Sequence, residues 1–116
     1  MSTNIKLSHV IEFVADMDRA VKFYRDVIGL PLKFQSPAWS EFATGETSLA
    51  LHPASEGKPA GSVEFGFTVG DLPKFHQEMG AKGVRFSMPP TKQDYGRMLA
   101  QFVDSEGAHS SVSSAM

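Results

Sequence analysis

Two side chains able to hold a metal ion or move a proton, His9 and Glu64, occupy the same position in two similar halves of the chain. Residues 14–17 (VADM) are matched about 55 residues later by residues 69–72 (VGDL), and the same shift brings His9 onto Glu64. Imidazole and carboxylate groups both bind divalent ions and both act as general bases. His9 is therefore a metal ligand or a hydrogen-bonded cavity residue. Glu64 is a ligand, a catalytic base or a partner of His9.

Aromatic and polar side chains on neighbouring strand-like segments are candidates for binding a small molecule. Sequence alternation places Trp39 and Glu41 on one strand face, where Trp39 offers a flat apolar wall for a planar ligand. The alternative role of Trp39 is packing in the core or at an interface. Gln101 is the counterpart of Glu41 in the second half, and His52 and His109 lie on the last strand of each half. We expect these five side chains to be substrate-binding residues.

The segments that must position these residues predict two copies of a β-α-β-β-β unit. In the first copy Asp16 caps a helix and Gly29 ends it. The first copy has strands over 5–14, 30–35, 39–43 and 47–52 and a helix over 17–27. The second has strands over 63–69, 84–88, 97–103 and 108–113 and a helix over 72–79. The two consecutive prolines at 89 and 90 are predicted to break the strand that precedes them.

Chain length and composition limit the domain organisation and the class of function. The chain has 116 residues, a mass of 12.6 kDa and a net charge of −2. We expect a single domain, with unit one at 1–53, a Pro- and Gly-rich linker at 54–62 and unit two at 63–116. The charge predicts no nucleic-acid or membrane partner, and the absence of a signal-like segment predicts a cytoplasmic protein. Because cysteine is absent, a metal ion would need His, carboxylate and water ligands.

Three short motifs in the right order resemble the vicinal oxygen chelate superfamily, which includes glyoxalase I, bleomycin-resistance proteins and extradiol dioxygenases. The first is His9-Val10 followed by residues 14–17. The second is residues 23–30 (FYRDVIGL), and the third is the glycine turn at 102–107 (FVDSEG). The resemblance covers nearly the whole chain. It implies an α+β fold in which two β-α-β-β-β units form curved mixed sheets around a cavity, with two chains paired in a homodimer.

The resemblance also identifies four positions that hold a metal ion in metal-dependent members. In this chain they are occupied by His9, Ala50, Glu64 and Ser111. His9 and Glu64 are the implied ligands of a divalent ion such as Zn, Ni, Mn or Fe. Ala50 carries no donor atom, and the neutral hydroxyl of Ser111 is a weak ligand. Glu64 is the implied catalytic base.

Two functions follow from the resemblance, and they belong to different classes. The first is a protein that binds a small molecule in a sheet-lined cavity and performs metal-assisted lyase or isomerase chemistry. The second is a metal-free protein that sequesters a small molecule or an antibiotic, as bleomycin-resistance proteins do. The residues at positions 50 and 111 favour the second function, whereas His9 and Glu64 favour the first.

Overall fold

The computed structural model describes residues 5–94 and 96–114, so the outer bounds predicted at 1 and 116 lie outside the described residues. The chain forms two compact units. The N-terminal unit comprises residues 8–63, and the C-terminal unit comprises residues 64–114 together with residues 5–7. The predicted linker at 54–62 therefore lies within the N-terminal unit. No helix in the described part of the chain is long and apolar enough to cross a membrane.

The N-terminal unit contains a four-stranded mixed sheet and one helical segment. Its elements are β1 (Lys6–Val14), α1 (Met17–Lys22), a π-helix (Phe23–Ile28), β2 (Leu32–Gln35), β3 (Ser40–Phe42) and β4 (Ser48–Pro53). The strand order is β2-β3-β4-β1. β1 pairs with β4 in parallel, and the other two pairings are antiparallel. This is the β-α-β-β-β order predicted from the sequence.

The helical segment begins and ends where the sequence predicts, but it is not one regular helix. Oδ1 of Asp16 accepts a hydrogen bond from the backbone N–H of Arg19 at 3.0 Å, which satisfies one free donor of the first turn. Gly29 ends the segment with φ +92°, a backbone conformation that favours glycine. Between them, the α-helix changes at Phe23 into a π-helix. Phe23 and Val27, both in the π-helix, are exposed.

The C-terminal unit repeats this arrangement. Its elements are β5 (Val63–Val69), α2 (Leu72–Ala81), β6 (Arg85–Lys92), β7 (Met98–Val103) and β8 (His109–Ser114), and the strand order is β5-β8-β7-β6. Oδ1 of Asp71 caps α2 by accepting from the N–H of Lys74 at 3.0 Å. The repeat confirms the predicted α+β class with mixed sheets.

The prediction that Pro89 and Pro90 break the sixth strand is wrong. β6 continues through both prolines to Lys92. It is an edge strand that pairs only with β7 in its sheet, and its register shifts between Met88 and Thr91. β6 pairs on one side only, and the register shift leaves Pro89 and Pro90 out of the regular ladder, so the missing N–H groups of both prolines are tolerated there.

Each unit has an apolar core between its helix and one face of its sheet. In the N-terminal unit this core is formed by Val14, Val21, Phe42 and Leu51. In the C-terminal unit it is formed by Val69, Leu72, Phe75, Ala100 and Val112. Because side chains alternate along a strand, the intervening residues lie on the opposite face of each sheet. The residues predicted to do chemistry lie on that opposite face.

Candidate functional site

The strand register places equivalent residues of the two units in equivalent rows across their sheets. In the N-terminal unit the row is Ile11, Ala50 and Glu41, and in the C-terminal unit it is Gly66, Ser111 and Gln101. Each row runs from the first strand of the unit across its last strand to the third strand. The equivalence of Ala50 with Ser111, and of Glu41 with Gln101, is therefore confirmed by the pairing.

Glu41 is the centre of a polar cluster in the N-terminal unit. Its Oε1 accepts a hydrogen bond from Nε1 of Trp39 at 2.9 Å and lies 3.4 Å from Nε2 of His9. Its Oε2 lies 3.4 Å from Nζ of Lys33. Burial raises the pKa of Glu41, but the Trp39 hydrogen bond and the neighbouring His9 and Lys33 outweigh burial and hold the pKa below its usual range. The carboxylate is therefore kept ionised. We call His9, Lys33, Trp39 and Glu41 the Glu41 cluster.

The aromatic rings next to Glu41 form a second part of this site. The rings of His9 and Trp39 meet edge to face, with centroids 5.7 Å apart. The ring centroid of His52 lies 6.3 Å from that of Trp39 and 5.4 Å from that of Phe13. Nδ1 of His52 lies 2.9 Å from the carbonyl oxygen of Pro53, and the residue is exposed. The structure thus brings together four predicted site residues of the N-terminal unit: His9, Trp39, Glu41 and His52.

Lys33 belongs to this cluster but was missed by the sequence analysis. Its Nζ lies 3.4 Å from Oγ of Ser48 as well as from Glu41. Leu32 packs against the core of the unit, so alternation along β2 places Lys33 on the opposite sheet face, the face of Glu41. The signal was therefore present in the sequence, although Lys33 was not identified as a site residue.

Glu64 occupies the corresponding face of the C-terminal unit and is nearly buried. Its side chain accepts a short hydrogen bond from Oγ of Ser111, with 2.6 Å between Oγ and Oε2. Only 8% of Glu64 is exposed. Gln101 lies beside Ser111 in the same row and is half-buried. His109 is exposed, and its Nδ1 lies 3.3 Å from Oγ of Ser87. Ser111, expected only as a lost metal ligand, is the partner of Glu64.

The donor atoms present do not fit a tightly held divalent ion. Within residues 5–94 and 96–114, no three His, Asp or Glu side chains come together as a ligand set. Catalytic zinc sites commonly use three protein ligands and one water. Ala50 has no donor, and it is fully buried in an apolar cluster with Ile11 and Phe13. The roles of His9 and Glu64 as metal ligands stay predictions.

Comparison with known families identifies one match over most of the chain. Residues 6–109 match the family model described as the Glyoxalase/Bleomycin resistance protein/Dioxygenase superfamily. The match covers the first seven strands and both helical segments, and it ends at the first residue of β8. A curated relative, the uncharacterized protein YraH of Bacillus subtilis (strain 168), is 25% identical over 116 aligned residues. That alignment covers 86% of this chain and 91% of YraH.

Solved structures with the same fold carry names from different enzyme classes. Methylmalonyl-CoA epimerase from Mycobacterium tuberculosis aligns with a TM-score of 0.74 and 20% identity, covering 95% of this chain and 87% of the epimerase. A structure described as NAD-dependent benzaldehyde dehydrogenase from Legionella pneumophila aligns with a TM-score of 0.77 and 21% identity, covering 93% of this chain and 98% of that one. At this level of identity the likeness shows the fold, and function has to be inferred from the site itself.

Proposed function

Because this chain belongs to the Glyoxalase/Bleomycin resistance protein/Dioxygenase superfamily, we propose that it binds a small planar molecule at the Glu41 cluster. The observation that carries the proposal is the set of contacts around Glu41. An ionised carboxylate, an ammonium, an imidazole and an indole converge on one sheet face. Binding sites for small molecules combine an apolar wall with a few fixed polar groups, and the cluster supplies both.

The charge of the cluster limits the chemistry of its ligand. Glu41 is offset by Lys33, and His9 adds a second group able to donate or accept. The cluster is therefore not a strong attractor for an ion of either sign. It suits a neutral planar molecule whose ring lies against Trp39 and whose polar group donates a hydrogen bond to Glu41.

Two-dimensional NMR with a set of planar aromatic fragments, each with one hydrogen-bonding group, tests this proposal. Trp39 is the only tryptophan, so its indole N–H gives a single, identifiable signal. We expect the bound fragments to shift this signal and the amides of residues 39–41 and 48–50. Fragments that bind only elsewhere on the protein, or a set without any binder, would contradict the proposal.

A second candidate function, proton transfer by Glu64, is favoured by its short hydrogen bond to Ser111. Glu64 is nearly buried, and a fixed donor positions its carboxylate at 2.6 Å. In this reaction the carboxylate removes a proton from a carbon next to a carbonyl group. The electron pair moves onto the carbonyl oxygen as an enolate, and the proton then returns to carbon. In isomerase or lyase chemistry of this kind, Glu64 is the catalytic base.

Incubation with methylmalonyl-CoA in deuterium oxide tests the second candidate, with the probe taken from the name of one structural relative. After exchange of the carboxyl proton with solvent, the returned atom is deuterium, which mass spectrometry detects. We expect incorporation to fall by about 100-fold or more in Glu64→Gln. The control is Glu106→Gln, in an exposed turn. Equal deuterium incorporation with the parent protein, with Glu64→Gln and in buffer alone would contradict proton transfer by Glu64 on this class of substrate.

We also retain three predictions as proposals: a homodimer and a divalent ion with His9 and Glu64 as ligands, which the resemblance implies, and a cytoplasmic location. Light scattering on the purified protein gives the mass in solution, and a mass near 12.6 kDa instead of twice that value would contradict the dimer. Metal analysis of protein made without a metal-binding tag tests the ion. Metal content unchanged in His9→Ala would remove His9 from the ligand set.

A further inference from the structure

A second pocket lies on the helix side of the N-terminal unit, away from the Glu41 cluster. It has a volume of about 340 Å³, within the range of small-molecule sites. The start of the π-helix forms one part of its wall, and the segment at 60–61 forms another. Backbone hydrogen bonds of 2.8 and 2.9 Å tie Gly61 and Ser62 to Phe13 of β1, which fixes that part of the wall. Its lining includes Glu12, Asp16, Arg19, Phe23 and Tyr24.

A fixed carboxylate lies in this pocket. The hydroxyl of Tyr24 donates to Oε1 of Glu12, with 2.5 Å between the two oxygens. This short contact orients the Glu12 side chain, and its Oε2 accepts no hydrogen bond from the described residues. One oxygen of a half-buried carboxylate therefore remains available to a ligand. The bonds that carboxylates accept from charged donors are shorter and stronger than neutral ones.

Two aromatic rings stand next to this carboxylate at nearly a right angle. The rings of Phe23 and Tyr24 have centroids 5.2 Å apart and planes inclined by 78°. Phe23 is 47% exposed, which is a high exposure for so large an apolar side chain. Both residues belong to the π-helix, a distortion found frequently at functional sites. Aromatic faces attract ammonium groups, and a neighbouring carboxylate adds an ion pair.

We propose that the pocket of Glu12, Phe23 and Tyr24 is a second binding site, which takes a small organic cation with an amine on an apolar or aromatic group. The charged residues that line the pocket favour a positively charged ligand. Glu12 and Asp16 are acidic, and Arg19 is the one basic residue among the residues that line the pocket. Asp16 is engaged in capping α1, so Glu12 is the carboxylate that pairs with the ligand. The site is separate from the one in the proposed function.

NMR titrations with benzylamine, benzyl alcohol and benzoate test the charge of the ligand at constant ring size. We expect benzylamine, which is protonated at pH 7, to shift the amides of Ala15, Ala20 and Gly61 saturably. Benzyl alcohol should bind about 10-fold more weakly, because it lacks the ion pair with Glu12 and the attraction to the rings. Preferential binding of benzoate would mean that Arg19 dominates the pocket and would overturn the proposal. Absence of saturable shifts with all three would also overturn it.

Two variants test the residues, and one matched control accompanies them. Glu12→Gln should weaken benzylamine binding by about 10-fold. Phe23→Leu removes an exposed ring without emptying the core, and it should weaken binding by about 3-fold. The second variant keeps the test valid if Glu12→Gln does not fold. The control is Glu56→Gln, an exposed glutamate outside the pocket lining, which should bind as the parent protein does. Unchanged affinity in Phe23→Leu and in a folded Glu12→Gln would refute the site.

Discussion

Nε1 of Trp39 donates a 2.9 Å hydrogen bond to Oε1 of Glu41, two residues further along the chain. The same carboxylate lies near His9 and Lys33, each at 3.4 Å. An aromatic wall and an ionised group are thereby fixed relative to one another before any ligand binds. Such preorganisation lowers the cost of ordering a site on binding. The same contact also makes the ionisation of Glu41 observable through a single indole signal.

The indole N–H signal of Trp39 should titrate with Glu41. Because Trp39, His9 and Lys33 hold the pKa of Glu41 below its usual range, the midpoint should fall below the ordinary glutamate value of about 4.3. NMR spectra recorded from neutral to acidic pH measure it. In Glu41→Gln this step should disappear. A midpoint above the ordinary value would show that burial outweighs the hydrogen bond and the charges.

Glu41 should stabilise the protein at neutral pH, and this stabilisation should be lost on acidification. A carboxylate whose pKa is lower in the folded than in the unfolded state stabilises the fold above its unfolded pKa. That contribution is lost as pH falls through the folded pKa. The parent protein should therefore be more stable than Glu41→Gln at neutral pH, and the difference should shrink on acidification below about pH 4.3. Urea denaturation at a series of pH values measures it, with the exposed Glu46→Gln as the control. A difference that grows on acidification would show the opposite shift.

Removal of the Ser111 hydroxyl should destabilise the C-terminal unit. Ser111→Ala removes the 2.6 Å hydrogen bond to the carboxylate of Glu64, a residue that is only 8% exposed. We expect the free energy of unfolding to fall by about 1–3 kcal/mol. The matched control is Ser113→Ala, on the same face of β8 two residues away. Chemical denaturation of both variants gives the comparison. An equal, small effect of the two substitutions would mean that Ser111 does not stabilise Glu64.

Tyr24 should ionise at unusually high pH. The hydrogen bond to Glu12, followed by burial and the negative charge of Glu12, raises the pKa of Tyr24 to about 12. In Glu12→Gln the pKa should fall toward the usual tyrosine value of about 10. The raised pKa stabilises the fold below pH 10, and this contribution is lost as pH rises toward 12. Ultraviolet titration, with Tyr24→Phe to subtract the other tyrosine, measures both values. An unchanged midpoint in Glu12→Gln would exclude the contact.

The fold was predictable because its signals are local and repeated. Asp16 and Gly29 mark the ends of the first helical segment, and their chemistry alone determines those ends. The equivalence of Glu41 with Gln101 followed from the repeat, and the strand register confirms it. Lys33 was missed although its face follows from the same kind of signal, because Leu32 packs in the core and Lys33 therefore lies on the opposite face. Alternation does not reveal the pairing of β2 with β3, which brings Lys33 beside Glu41.

Two further features depend on context beyond the local pattern. The two prolines at 89 and 90 are tolerated because β6 is at an edge and its register shifts there, and sequence alone reveals neither feature. The contact between Tyr24 and Glu12 involves a π-helix residue, whereas periodicity predicts a regular α-helix. In the candidate site, the types of residue were predictable and several of their partners were not.

The most direct test of the central claim is the affinity of a planar fragment for three proteins, measured through the fluorescence of Trp39. The proteins are the parent, Glu41→Gln and the exposed control Glu46→Gln. A ligand bound at the Glu41 cluster should bind at least about 10-fold more weakly to Glu41→Gln, because its hydrogen bond to an ionised acceptor is replaced by a weaker one to a neutral amide. It should bind Glu46→Gln as it binds the parent. Equal affinity for all three proteins would contradict a binding site at the Glu41 cluster.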